Sequence, residues 1–588
     1  MMDALDSAIA NTQAHLDGLR DASGHWEGRL SSSALSTATA IVALALVDGD
    51  KHAVHIAAGA QWLCDHQNAD GGWGDTTLSK SNLSTTLLCW SALHLVGQRT
   101  SSAVQSANVW ITAQVGSLEP AAIARAVVSR YGKDKTFSVP ILMLCALCGT
   151  LGDKPWKHVI ALPFELAALP RTWFGAVGLP VVSYALPALI AIGYTRFKNA
   201  PPAWWNPLRW LRALTWPRIR PMLKALQPSS GGYLEATPLT SFVTMALAGG
   251  GQLDHPCLPL AVSFLVNSKR EDGSWPIDTN LATWGTTLSL RSSDPKPDGL
   301  KPELRTWLLA QQYREVHPFT NAPPGGWAWT NLPGGVPDAD DTSSALIALK
   351  KMGHAFDAAI QQGVTWLLDL QNRDGGIPTF CRGWGTLPFD RSTPEITAHA
   401  LGAWWAWCDE ATDVLGARIV KATQQAFLYL EKVQLSNGSW IPLWFGNEHT
   451  PDENNPVYGT AQVVNHLSSS EQLAVLSHTM IESGRQYLRS ARKSDGSFGG
   501  DASAPASIEE TAVALHALGG EGQDVMSSAQ WLITATENGT RFPTAPIGLY
   551  FARLWYHEQL YPVIWTLGAL KAARSYGTAL RFDLEREG

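Results

Sequence analysis

The chain has 588 residues, of which only 16% are charged, with a net charge of -7 and 26 tryptophans. That mildly acidic balance excludes nucleic acid as a global partner, and so few charges beside so many indoles predict a protein that buries much surface or touches lipid. The seven cysteines are scattered, which excludes a disulfide framework; Cys145-Ala146-Leu147-Cys148 lies in an apolar run with no second pair and reads as core packing.

Met1 to Gly18 carries Asp3, Asp6 and Asp17 but no basic start leading into an apolar run, so no secretory signal is expected and the cytosolic side is the default. Beyond it one phrase recurs: an apolar pair, then Gln, then Gly, then an aromatic two residues on. Its fullest copies are Trp62-Leu63/Gln67/Gly71/Trp73 and Tyr429-Leu430/Gln434/Gly438/Trp440. Degenerate copies are Arg20/Gly24/Trp26, Gln227/Gly231/Tyr233, Lys269/Gly273/Trp275, Gln371/Gly375/Ile377 and Arg492/Gly496/Phe498, with a relic at Trp531-Leu532. A helix–turn–helix unit of this kind predicts concentric helices closed into rings. Sustained two-residue alternation is missing, which argues against sheets, so the fold class is all-α with toroidal domains.

Residues 165–235 form a second predicted feature. No acid stands between Glu165 and Glu235, while Arg171, Arg196, Lys198, Arg209, Arg212, Arg218, Arg220 and Lys224 are basic. The stretch opens with a greasy, proline-broken run from Gly178 to Gly193, too short to span a bilayer. It continues through Trp204, Trp205, Trp210 and Trp216. Tryptophan interleaved with arginine suits the interface of an anionic leaflet; a basic surface over a buried helix is the competing reading.

After most copies of the repeat an apolar helix opens near a threonine: Thr286, Thr342, Thr397, Thr460 and Thr511. If inner helices start at equal heights, the residue two before each threonine points into one end of the cavity. Those residues are Trp284, Asp340, Glu395, Tyr458 and Glu509. Acids near a helix start also serve as caps or dipole partners, which competes for Glu395 and Glu509. Asp340 differs, because Asp338 and Asp341 flank it. Like charges crowded in apolar surroundings force at least one to keep its proton near neutrality, so the cluster reads as a Brønsted acid for a weak base such as an alkene.

The Gln-x-x-x-Gly-x-Trp copies, Asp338-Ala339-Asp340-Asp341-Thr342 and the preceding Gly325-Gly326-Trp327-Ala328-Trp329 resemble the squalene–hopene cyclase branch of the class II terpene cyclases, over nearly the whole chain. The resemblance implies two α/α barrels: a β domain of residues 1–14 plus 256–588 that carries the acid, and an inserted γ domain of residues 15–255. It implies that Asp340 protonates a terminal isoprene double bond, that Asp338 and Asp341 hold and repolarise it, and that Trp284, Trp329 and Tyr458 line the substrate, where aromatic faces stabilise a cation at ~0.5–2 kcal/mol each. It implies no cofactor and no metal. The implied partners are an isoprenoid lipid, squalene first, going to a hopene-type product, and a membrane held peripherally from its cytoplasmic side; a homodimer is compatible with it.

Three rivals stand beside this reading. The same acid chemistry could act on a prenyl diphosphate, though no basic cluster stands out beside Asp338, or on a prenylated aromatic. A prenyltransferase-like barrel would need zinc, for which Cys381 and His399 are available without an evident ligand set. A non-catalytic helical-repeat scaffold would not need three clustered carboxylates. The sequence also departs from the family. The stretch Arg489-Ser490-Ala491-Arg492-Lys493 lacks the histidine expected to support the acid, leaving His478, Glu509 or a water as candidates. Val513 replaces a tryptophan, and the aromatic ending Gly548 to His557 matches poorly.

Overall fold

The fuller copies of the repeat each build one corner, held by hydrogen bonds from the glutamine and the aromatic. Gln67 Nε2–H donates to Gly71 O at 2.7 Å and to Ala103 O of the next outer helix at 2.8 Å; Gln434 bridges Gly438 O and Met480 O in the same way. The indole N–H of Trp73 donates to Leu63 O, and that of Trp440 to Leu430 O. At these and other corners the backbone N–H of the turn aromatic donates to a threonine hydroxyl on an inner helix, Trp73 to Thr86, Trp440 to Thr460 and Phe498 to Thr511. That bond explains the recurring threonines. Glycine is required because φ at Gly438 is +90°, and a Cβ there would lie 2.2 Å from Ser483 O.

The computed structural model describes the chain apart from residues 1, 133–134, 171–172, 175–185, 294–301, 319, 384, 386–387, 520–522, 550–552 and 588, with backbone alone at 523–524 and 576–587. Arg171, Gly178 to Ala185 of the greasy run, and Tyr550 to Ala552 of the aromatic ending lie outside the described residues.

Among the described residues five inner helices close the first ring: α1 (Ala34–Asp48), α2 (Leu83–Leu95), α3 (Ser138–Leu147), α4 (Leu186–Asn199) and α5 (Thr237–Gly249), with α5 returning onto α1. Six close the second: α6 (Ala282–Ser292), α7 (Ala339–Lys351), α8 (Pro394–Trp407), α9 (Pro456–Leu467), α10 (Ile508–Leu518) and α11 (Tyr561–Glu587), which returns onto α6. Inner helices are buried all round, as Ser84 to Leu93 of α2 show. Outer helices are amphipathic; Asp413–Val433 buries Leu415, Ile419, Ala422, Ala426 and Leu430 on one stripe.

The two cores part later in the chain than the sequence suggests. One gathers Ala34 to Trp275, and the other joins Leu5 to Leu30 with residues from Ile277 onward, so the division lies near residues 30 and 276 rather than 14 and 255. The corners explain the shift. Trp26 donates its backbone N–H to Thr286, 260 residues ahead, while Trp275 donates to Thr37 behind it. Thr286 therefore belongs to the corner of Trp26, not to the Trp275 copy that precedes it. One further copy, Gln312/Gly325/Trp327, escapes the sequence pattern because a loop separates its glutamine from its glycine, yet it makes the same bonds.

Candidate active site

The corner at Trp327 sets the start of α7. Asp338 N–H donates to Trp327 O at 3.0 Å, Trp327 N–H donates to the Thr342 hydroxyl, and Asp338 Oδ1 caps the helix by accepting from Asp341 N–H at 2.9 Å. With its neighbours so fixed, Asp340 in the first turn faces the ring interior. Burial pushes its carboxyl up to about 7, although the Arg291 guanidinium pulls the other way. Asp338 is likewise raised to about 7 by burial, and Asp341 stands well above the ordinary carboxylate range, through burial first and the charge of Asp338 second. Of these two, Asp341 is held the more firmly in its protonated form.

Asp340 has a partner. Its Oδ1 lies 2.5 Å from His399 Nδ1, and His399 Nε2 lies 2.9 Å from Arg291 Nη1. His399 stacks on His466 at 4.2 Å between ring centroids. The histidine that the sequence leaves unassigned is thus supplied by α8. His478 opens an outer helix and lines no chamber at the acid. Neither does His399 pair with Cys381 in a zinc set: its nitrogens are engaged, and Cys381 Sγ–H points to Phe389 O at 3.5 Å.

Two chambers meet at Asp340 and Trp284. The first lies between the rings. It is walled by Leu88, Phe137 and Phe242 from one side and by Trp329, Phe380, Phe445, Tyr556 and Tyr561 from the other. Among the described residues its charged lining is acidic throughout: Asp278, Asp338, Asp340 and Asp341. The second chamber runs inside the second ring and is basic and polar, lined by Arg291, Lys351, Arg485 and Lys571 beside His399, His466 and His516. A basic cluster therefore does stand behind the acid, contrary to the sequence expectation, because each cation comes from a different helix.

The residues singled out by register, and Trp329 from the resemblance, separate accordingly. Trp284 lines both chambers and donates its indole N–H to Tyr561 OH at 3.1 Å; Trp329 lines the first, Tyr458 and Glu395 the second. Glu395 is tied to Leu443 N–H and to the Thr393 hydroxyl, and burial raises it to about 7. Glu509 lines neither chamber. Its side chain turns away to accept from Ala545 N–H at 2.8 Å, and burial pushes it up to about 8. The missed residues were within reach of the same reasoning. His399 stands four residues after Glu395 and Arg291 seven after Trp284, so each shares the face of a residue already placed inward.

Known proteins resemble this chain over most of its length. Family models described as the squalene-hopene cyclase N-terminal and C-terminal domains match residues 9–184 and 278–540. The squalene–hopene cyclase of Bradyrhizobium diazoefficiens is 24% identical over 655 residues, covering 97% of this chain and 95% of its own. A copalyl diphosphate synthase of Streptomyces cyslabdanicus is also 24% identical, over 85% of this chain and 84% of its own. Among solved structures, ent-copalyl diphosphate synthase from Arabidopsis thaliana matches 99% of this chain and 80% of its own at 14% identity, with a TM-score of 0.47.

Proposed function

This chain belongs to the squalene–hopene cyclase family of class II terpene cyclases, and from that premise we propose that it cyclises a long, uncharged isoprenoid, squalene first, to a hopene-type polycycle. The observation that carries the choice of substrate is the lining of the first chamber. Among the described residues no Lys, Arg or His faces it, so nothing there would hold a diphosphate, whereas a hydrocarbon loses no hydrogen bonds on entering it.

The chemistry follows from the same geometry. Asp340 Oδ1 accepts from His399, which leaves Oδ2 to carry the acid proton. That proton passes to a terminal alkene carbon, and the carboxylate left behind is stabilised by the His399 N–H and by the N-terminus of α7. The growing cation then meets the faces of Trp284, Trp329, Phe380 and Tyr556, which stabilise it without bonding to it, at ~0.5–2 kcal/mol each. Excluding water protects it. Incubation of detergent-solubilised protein with squalene and, separately, with geranylgeranyl diphosphate, read by mass spectrometry, tests the choice. Squalene should yield a polycyclic hydrocarbon while the diphosphate is returned unchanged; turnover of the diphosphate alone would refute the hydrocarbon reading.

The enzyme so read works at a membrane, peripherally and from its cytoplasmic side. Among the described residues no helix is long and apolar enough to cross one. Support for surface attachment comes from the helix Pro207–Ala225 and the turn before it. Trp204, Trp205, Trp210 and Leu214 are 69%, 71%, 62% and 78% exposed, with Arg209 and Arg218 among them, while Trp216, Ile219 and Leu223 are buried beneath. Replacing Trp204, Trp205 and Leu214 together by serine should cut binding to anionic phospholipid vesicles at low salt by roughly tenfold or more, given the apolar area removed. Wild-type protein that stays in the supernatant of such vesicles would overturn the attachment.

A further inference from the structure

Behind Asp340 stands a buried cation that the proton transfer described above does not employ. Arg291 lies in the last turn of α6, and its only side-chain hydrogen bond among the described residues runs from Nη1–H to His399 Nε2 at 2.9 Å. A guanidinium has no acceptor. The nitrogen it faces must therefore be the unprotonated one, so the ring hydrogen sits on Nδ1, the atom 2.5 Å from Asp340 Oδ1. The direction of donation along Arg291, His399 and Asp340 is set from one end.

The charges around this line leave Arg291 as the cation that acts on the acid. On α7 itself Asp338 and Asp341 are both raised by burial, Asp341 the further. From α8 comes Glu395, held near neutrality by burial, and from the neighbouring elements the phenols of Tyr458 and Tyr556, both raised far above their ordinary range by burial. His399, His466 and His516 are all held down, by burial first; the arginine's charge is the next cause for His399 and His516 and a smaller one for His466, so the three rings are neutral. Lys351 and Lys571 donate to helix-end carbonyls, those of Arg291 and Ser292, and Arg485 to Ala517 O and Glu482, whereas the charge that acts on the Asp340 carboxyl is that of Arg291. Arg291, lowered to about 10 by burial, keeps its charge at neutral pH.

We propose that Arg291 is a positioning residue for the proton transfer: it locks His399 as the Nδ1–H tautomer and sets a positive charge behind it that strengthens Asp340 as an acid. The proposal rests on reading Asp340 as the proton donor. In the step, the O–H bond of Asp340 breaks, its electron pair stays on the carboxylate, and the proton forms a C–H bond with the alkene. His399 and Arg291 face the new anion and neither gives up a proton.

The test compares pH–rate profiles of wild type, Arg291→Gln, Arg291→Lys and Asp340→Asn, with squalene in detergent as substrate. Wild-type activity should fall as pH rises through about 7, where Asp340 loses its proton. Arg291→Gln should lower kcat by about tenfold to a hundredfold with KM within about twofold. Its alkaline limb should also move to higher pH, because a carboxyl without the cation behind it is harder to ionise. Arg291→Lys, which keeps the charge, should return the limb toward the wild-type position, and it remains readable if the glutamine variant does not fold. An unmoved limb in Arg291→Gln, or a lysine variant whose limb is displaced as far as expected for loss of charge, would overturn the proposal while inactive Asp340→Asn leaves the acid assignment standing. Activity in Asp340→Asn would instead remove the reading on which the proposal rests.

Discussion

Asp340→Asn is expected to lower cyclisation by roughly 10²–10⁴-fold, the range for losing a positioned general acid, while the protein melts as wild type does. The substitution is nearly isosteric. Its amide oxygen still accepts from His399 Nδ1–H, so the line from Arg291 is preserved and only the acidic proton is removed. Asp338 and Asp341 cannot take its place. Asp338 is bound to its own helix as the N-cap, and burial beside Asp338 holds the proton firmly on Asp341. Product per unit time, measured by mass spectrometry beside a thermal melt, checks both halves; a variant within tenfold of wild type would take the role away from Asp340.

The second large effect is expected at His399. Phenylalanine there keeps a ring against His466, 4.2 Å away between centroids, and against the edge of Trp284, but removes the donor to Asp340 and the acceptor of Arg291 together. The new carboxylate then loses a charge-assisted hydrogen bond, and the guanidinium is left with no protein acceptor. We expect turnover to fall by about a hundredfold with little change in KM. Steady-state kinetics decides: a fall smaller than about threefold would mean that the 2.5 Å contact is a packing feature and not part of the acid.

Much of the fold was legible because the repeat spells out its own hydrogen bonds. The glutamine, the glycine, the aromatic and the distant threonine each have one task at a corner, so residue type alone reports the corner. Which corner joins which helix was not legible. The bonds from Trp26 to Thr286 and from Trp275 to Thr37 cross the whole inserted ring, and nothing local distinguishes them from neighbours in sequence, which is why the boundaries moved.

The site divides along the same line. Asp338, Asp340 and Asp341 announce themselves, since three carboxylates at the head of an apolar helix have no ordinary structural use. His399 does not, for one imidazole inside Pro394–Trp407 looks like a buried core residue until the ring closes and sets it against α7. Register places backbones, not side chains. It put Glu509 at the right height, but the free amide of Ala545 drew the carboxyl out of the cavity. Likewise the basic chamber is assembled from cations on four separate helices, so no one stretch of sequence announces it.

The most direct test of a carboxylic acid as the initiator is to run the reaction in deuterium oxide after exchanging the protein into it. Asp340 must be recharged from solvent on every turnover, so the cyclised product should carry one deuterium, at the carbon that receives the initiating proton, and Asp340→Asn should form at most a trace of it. Product free of deuterium over many turnovers, or labelled product formed equally well by the asparagine variant, would contradict protonation by Asp340.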